Sequence, residues 1–187
     1  MEHRSDRFII TTNSSEAEDF RIVTAPVHNP REENWSEIVP HKQGRLILET
    51  SVTKNHLIRL ERENGLPKIV IRDLSSSSEY AIEFPEEAYS LGFTSGYEFE
   101  TKTLRFTYSS MTTPTETYDF DMVSQARVLR KRQEVPTGHN PKDYITRRLF
   151  APAPDGEEVP VSLLYKKETT LYGSAPLLLY GYGAYGI

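Results

Sequence analysis

Three short segments of one texture, Arg7-Phe8-Ile9-Ile10, Asn55-His56-Leu57-Ile58 and Thr103-Leu104-Arg105-Phe106, recur at an interval of just under fifty residues. Self-similarity at such a period points to an array of supersecondary units, and with strand-like content those units read as propeller blades. Each segment is followed by a turn and a second strand-like stretch, Phe20 to Thr24, Ile69 to Arg72 and Thr117 to Phe120, and then by a polar linker and a third. Two of the units also carry a strand in front, Leu46 to Thr50 and Tyr89 to Thr94, whereas the first shows none. The pattern therefore predicts three four-stranded blades, the first without its innermost strand and so taken from the middle of a larger propeller. An open β-sandwich with a similar strand count is the competing reading. Turn spacing alone does not separate the two, and the repeat interval favours the propeller.

The local texture agrees with a mainly β fold and very little helix. Short runs rich in β-branched and aromatic residues are bounded by Gly, Pro, Asn, Asp or Ser. Candidate strands cover Arg7 to Asn13, Asp19 to Val27, Trp35 to Val39, Arg45 to Thr53, His56 to Glu63, Lys68 to Leu74, Glu79 to Phe84, Tyr89 to Thr94, Leu104 to Ser110, Glu116 to Met122 and Arg127 to Glu134. The serine run Ser75 to Ser78 reads as a surface turn.

After residue 135 the texture changes. Pro136-Thr137-Gly138-His139-Asn140-Pro141 breaks the interval and reads as a linker, which divides the chain into residues 1–135 and 136–187. Two further strand-like stretches, Tyr144 to Phe150 and Val159 to Tyr165, flank Asp155-Gly156, a dipeptide suited to the positive φ angles of a hairpin turn. The apolar run Pro176-Leu177-Leu178-Leu179-Tyr180 then has the form of a strand buried on both faces of a mostly parallel sheet. It leads into Gly181-Tyr182-Gly183-Ala184-Tyr185-Gly186. These letters fit a dinucleotide fingerprint formally, but neither the helix nor the distant acidic residue that would test it follows.

Composition removes several classes of function. The formal charge of −5 leaves the basic cluster Arg127, Arg130, Lys131 and Arg132 too small a field for a nucleic-acid surface. No apolar run reaches the length of a membrane span, and Met1 to Arg7 is not followed by a signal-peptide core, so neither a membrane partner nor secretion is expected. With no cysteine there is no disulfide framework or thiolate site, which fits a cytoplasmic location. The five histidines, His3, His28, His41, His56 and His139, lie at no spacing that would aim two imidazoles at one ion, so no metal site is expected. Asn13-Ser14-Ser15 and Asn34-Trp35-Ser36 match the glycosylation triplet and read as turn or strand-edge residues.

Leu179-Tyr180-Gly181-Tyr182-Gly183-Ala184-Tyr185-Gly186-Ile187 resembles the oxyanion-loop motif of the prolyl oligopeptidase family. Tyr108 to Pro114, Arg130 to Pro136 and Asp155 through Tyr165 are similar to its oligopeptidase B branch in particular, and Ala184-Tyr185 stands where the proline-specific branch has Gly-Phe. The resemblance implies the C-terminal blades of a seven-bladed β-propeller followed by the first strands of an α/β-hydrolase domain. It implies a serine endopeptidase that cuts short peptides after Arg or Lys with a Ser-His-Asp triad and no cofactor. By position it makes Tyr182 the donor of a hydrogen bond to the developing oxyanion, a contribution of roughly 3 to 4 kcal/mol for one such donor. No G-x-S-x-G nucleophile elbow occurs in the 187 residues, so these residues by themselves are expected to hydrolyse nothing. With uncovered strand edges they are also expected to self-associate or to be unstable alone. The alternative is a non-catalytic, propeller-derived module that binds a protein or peptide.

Overall fold

The computed structural model describes residues 1–182. The strands are β1 (Glu2–Arg4), β2 (Arg7–Thr12), β3 (Arg21–Pro26), β4 (Ser36–Val39), β5 (Arg45–Val52), β6 (His56–Glu63), β7 (Leu66–Asp73), β8 (Glu79–Ala81), β9 (Tyr89–Thr94), β10 (Thr103–Ser110), β11 (Glu116–Asp121), β12 (Arg127–Arg132), β13 (Tyr144–Pro152) and β14 (Glu158–Lys166). Among the described residues the only helical pieces are two 3-10 turns, Glu32–Asn34 and Pro141–Asp143. The strands form three four-stranded antiparallel sheets in chain order, β1 to β4, β5 to β8 and β9 to β12, and a separate β13–β14 hairpin. Successive four-stranded meanders stacked face to face are the architecture of propeller blades.

The stacking follows from side-chain alternation. Along β10, Leu104, Phe106 and Tyr108 are buried while Thr103, Arg105 and Thr107 are exposed, the pattern of a sheet with one covered face. Along β6 every residue from His56 to Glu61 is buried, because the middle sheet is covered on both faces. Leu57 joins Ile9, Ile22, Val39 and Ile47 in a core shared with the first sheet. Ile58 and Leu60 join Leu104, Phe106 and Phe120 in a core shared with the third. Tyr80 ties the second and third sheets further, its hydroxyl donating to the carbonyl of Met122 at 2.7 Å.

Turn chemistry sets the register. Asn64 and Gly65, with φ of 51° and 71°, join β6 to β7 so that Glu63 pairs Leu66, the two-residue turn that Asn-Gly favours. The strand expected from Lys68 therefore begins at Leu66 and carries Pro67 within it. In the β13–β14 hairpin, Gly156 at φ 92° closes a turn in which its N–H donates to Ala153 at 3.0 Å, and the Ala153 N–H donates to Glu157 at 2.8 Å. The loop is thus three residues long between this last bonded pair, not a two-residue turn.

Two expectations are corrected. The first sheet is not short of a strand: β1 pairs antiparallel with β2, Glu2 opposite Ile9 and Arg4 opposite Arg7. Three polar residues carry no alternation that marks a strand, and backbone pairing, with the His3 ring 5.8 Å from that of Phe8, makes one. The apolar run at Leu177 to Tyr180 is not a buried strand here. It is unpaired, and its four side chains are 76 to 90% exposed. An apolar run becomes a buried strand only where neighbouring strands bond its backbone, and among the described residues β13 and β14 bond only each other.

Candidate functional site

A groove of about 970 Å³ lies at the end of the third sheet, where the chain leaves it for the hairpin. Its floor is aromatic. Phe84, just past β8, stacks on Tyr108 with centroids 4.9 Å apart and meets Phe106 edge-on at 5.7 Å. The Arg127 guanidinium lies 4.9 Å over the Phe84 ring and donates to the Glu83 carbonyl at 2.9 Å. A cation held over ring faces with a carbonyl beside it is favourably placed without a carboxylate partner.

Two carboxylates flank this floor. Glu86 accepts from the hydroxyls of Thr112 at 2.6 Å, Thr113 at 3.1 Å and Tyr108. Burial pushes the Glu86 carboxyl up, but these hydroxyl donors outweigh it and hold the group below the usual carboxylate range. Tyr108 moves the opposite way, raised by burial and by the adjacent Glu86. Glu116, buried, accepts from Arg132 Nε at 2.7 Å and from the Tyr118 hydroxyl. The linker closes one side. His139 Nε2 lies 2.6 Å from the Thr112 carbonyl, and because a carbonyl only accepts, that nitrogen carries the proton.

Chemically this is a binding surface more than a reaction centre. The hydroxyls nearest a base, those of Thr112 and Thr113, donate to a carboxylate with a lowered pKa, and His139 donates to backbone, so none of them is an activated nucleophile. The basic cluster noted in the sequence is dispersed among separate tasks. Arg127 covers the rings, Arg130 meets Asp119 at 3.1 Å and Arg132 holds Glu116. Sequence reasoning missed Phe84 and Glu86, which lie in a loop whose Glu-Phe-Pro-Glu-Glu letters resemble any polar connection.

Tyr182 is not among the groove's lining residues. It ends the described chain beyond Leu177 to Tyr180 and is 58% exposed. The rest of its motif, Gly183 to Ile187, lies outside the described residues. Among the described residues no cluster of three His, Asp or Glu side chains is placed to hold a metal, and no helix is long and apolar enough to cross a membrane.

Serial four-stranded meanders sharing face-to-face cores define a β-propeller protein. Comparison with known proteins names the kind: residues 1–133 match the family model for the prolyl oligopeptidase N-terminal β-propeller domain. The chain belongs to the prolyl oligopeptidase family, a family of serine peptidases. It is 37% identical over 99% of its length to dipeptidyl aminopeptidase BI of Pseudoxanthomonas mexicana, covering 25% of that protein. It is 26% identical over its whole length to protease 2 of Moraxella lacunata, covering 26% of it. Among solved structures it resembles oligopeptidase B from Trypanosoma brucei with covalently bound antipain, with a TM-score of 0.88 and 31% identity over 98% of this chain and 27% of that one. The chain spans about a quarter of the length of the curated relatives it matches.

Proposed function

We propose that residues 1–135 are the last three blades of a seven-bladed propeller and residues 136–187 the opening of an α/β-hydrolase domain. The whole protein would be a serine endopeptidase of oligopeptidase B type, acting on short peptides after Arg or Lys. One observation carries this reading: the likeness to the Trypanosoma brucei enzyme covers 98% of the chain, so it continues past the family's propeller match into the hairpin and the segment that leads to Tyr182. The oxyanion-loop letters around Tyr182 support the same branch.

In this reading the propeller limits which peptides enter, and the triad comes from residues other than these 187. The Leu177 to Tyr180 run becomes a sheet strand once neighbours bond its backbone, which places the Tyr182 hydroxyl at the strand's C-terminal edge. A neutral phenol aimed at the carbonyl oxygen stabilises the charge that develops there more than it stabilises the substrate. The 37% likeness to a protein named dipeptidyl aminopeptidase supports a second reading, in which the peptidase releases dipeptides.

The test is kinetic, on the intact protein that contains this chain. A blocked Arg-amide reporter should be cleaved, and Tyr182→Phe should lower kcat by about 10² to 10³ with little change in KM. Unchanged kcat in Tyr182→Phe removes Tyr182 from the reaction. Cleavage only of dipeptidyl amides with a free amino end favours the second reading.

A further inference from the structure

The third sheet ends in an open edge. β12 is bonded to β11 on one side and, among the described residues, to no strand on the other, and all six of its residues are exposed. It is longer than the other two outer strands, β4 with four residues and β8 with three. In a propeller the fourth strand of a blade lies at the outer rim, so blades stacked on the faces of the sheet leave that edge open. The ladder fixes which backbone groups face outward. The Asp121 N–H donates to the Ala126 carbonyl at 2.9 Å, so these opposite residues are a bonded pair, and so, two residues further along, are Asp119 and Val128. Arg127 and Leu129, on either side of Val128, therefore turn their N–H and carbonyl groups away from β11. A row of unpaired donors and acceptors is a template for one more strand.

Side chains decide which strand fits. Opposite residues share a face, so Arg127, Leu129 and Arg132, opposite Phe120, Tyr118 and Glu116, lie on the side of the groove with the aromatic floor. Val128 and Lys131, opposite Asp119 and Thr117, lie on the other side, where Thr117 and Lys131 line a second groove of about 630 Å³. A strand added to this edge sends alternate side chains to the two sides. One side offers rings and prolines, the other an ammonium group. Arg130 and Arg132 are paired with Asp119 and Glu116, whereas Arg127 and Lys131 meet no carboxylate among the described residues. This uncompensated positive charge repels the same edge of a second copy and attracts carboxylates.

We propose that the β12 edge takes up an extended peptide segment as a fifth strand, and that the segment alternates acidic with apolar residues. Its apolar side chains enter the groove over Phe84 and Tyr108, and its carboxylates meet Lys131. Main-chain bonds to the edge supply affinity, and the alternate side chains supply selection. The proposal stands on strand pairing and charge and does not depend on the peptidase reading.

Fluorescence anisotropy on the intact protein tests it, with a labelled seven-residue peptide of alternating Glu and Val as the probe. Saturable binding is expected. N-methylation of the probe amides should weaken it by more than about tenfold, since several main-chain bonds are lost together. Lys131→Glu should weaken binding about fivefold, and added salt should weaken it in the unmodified protein. Leu129→Pro removes an outward N–H, at a place where an edge strand tolerates proline, and should weaken binding by about tenfold or more with Tm unchanged. Absence of saturable binding overturns the proposal, as does equal affinity for the N-methylated probe or for a probe of alternating Gln and Val. Binding that neither Lys131→Glu nor Leu129→Pro alters also overturns it, because the probe then sits elsewhere. Self-association of the intact protein that Leu129→Pro abolishes assigns the edge to a second copy and overturns it as well. Lys131→Glu, a change at an exposed residue, and the N-methylated probe keep the test decisive if Leu129→Pro folds poorly.

Discussion

Toward the third sheet the middle sheet turns His56, Ile58 and Leu60 from β6 with Ile69 and Ile71 from β7, and these meet Leu104, Phe106 and Phe120. Toward the first sheet the same two strands turn Leu57, Arg59 and Glu61 with Val70 and Arg72. That second face holds a chain of ion pairs. Arg59, 1% exposed, donates to Glu61 at 2.8 Å and to both oxygens of Glu79 at 2.9 and 3.1 Å, Arg72 reaches Glu79 at 2.7 Å, and Arg45 approaches Glu61 at 3.8 Å. One sheet therefore stacks through apolar area on one side and through charge, with a smaller apolar patch around Leu57, on the other. Apolar contact rewards any close stacking, whereas a buried charge tolerates only the arrangement that pairs it. The first supplies stability and the second penalises wrong registers.

The largest effects should come from breaking either face singly. Phe106→Ala is expected to cost about 3 to 5 kcal/mol by removing a fully buried ring. Arg59→Ala is expected to cost a similar amount, about 3 to 5 kcal/mol, by stranding buried Glu61. Urea denaturation measures both. The two faces should part when the network is replaced and not merely broken. Arg59→Met with Glu61→Leu should recover most of the loss or exceed the parent stability by about 1 to 4 kcal/mol, because the desolvation of two charges is relieved together. A double variant as weak as Arg59→Ala would show that the ion pairs themselves carry the stability of that face.

Acid should weaken the faces in turn. Burial lowers the pKa of His56, against the opposing pull of Asp73 and Asp121, and its Nδ1 is buried without a hydrogen-bond partner. A depressed histidine pKa means that the unfolded chain takes the proton first, so stability at the apolar face declines as pH falls below the ordinary value of about 6.5. At the ionic face burial pushes Glu79 up, but the bonds from Arg59 and Arg72 prevail and hold it low. Glu63 is lowered to about 2 by Lys42 and Lys68. These carboxylates contribute stability above the unfolded value of about 4.3 that is lost as pH falls through their folded values. Denaturation midpoints followed from pH 7 to pH 3 should show two declines, and His56→Gln should flatten only the upper one. The smallest effect belongs to an ion pair outside both faces. Arg105 binds Asp119 through two bonds, at 2.7 and 2.9 Å, on the exposed side of the third sheet, and Arg105→Gln should leave the midpoint unchanged. A clear loss there would mean that the outer face contributes more than solvent screening allows.

Much of the fold was legible because strand alternation and turn residues are local. His56 to Glu63 and Tyr89 to Thr94 form strands at the expected bounds. The β1 strand escaped because pairing, not composition, makes it, and the start of β7 escaped because Pro67 reads as an interruption. Of candidate site residues the sequence offered only the motif at Tyr182, which is not among the residues lining the groove. The groove was not legible, since Phe84, Tyr108, Glu116, Arg127 and His139 come from five separate segments and each is ordinary in its own. The reading also assigned a buried strand to Leu177 to Tyr180, where hydrophobicity is evident but the neighbours that would bury it are a matter of tertiary context.

By itself the sequence determined the repeat interval, the strand texture and the hairpin around Asp155-Gly156, all consequences of interactions between residues close along the chain. Only the tertiary structure decided that Arg59 is buried among carboxylates while Arg105 is solvated, though both alternate within similar strands. The physical reason is that alternation assigns a side chain to a face, but the free energy of a charge depends on what that face meets. That is set by sheets brought together from distant parts of the chain.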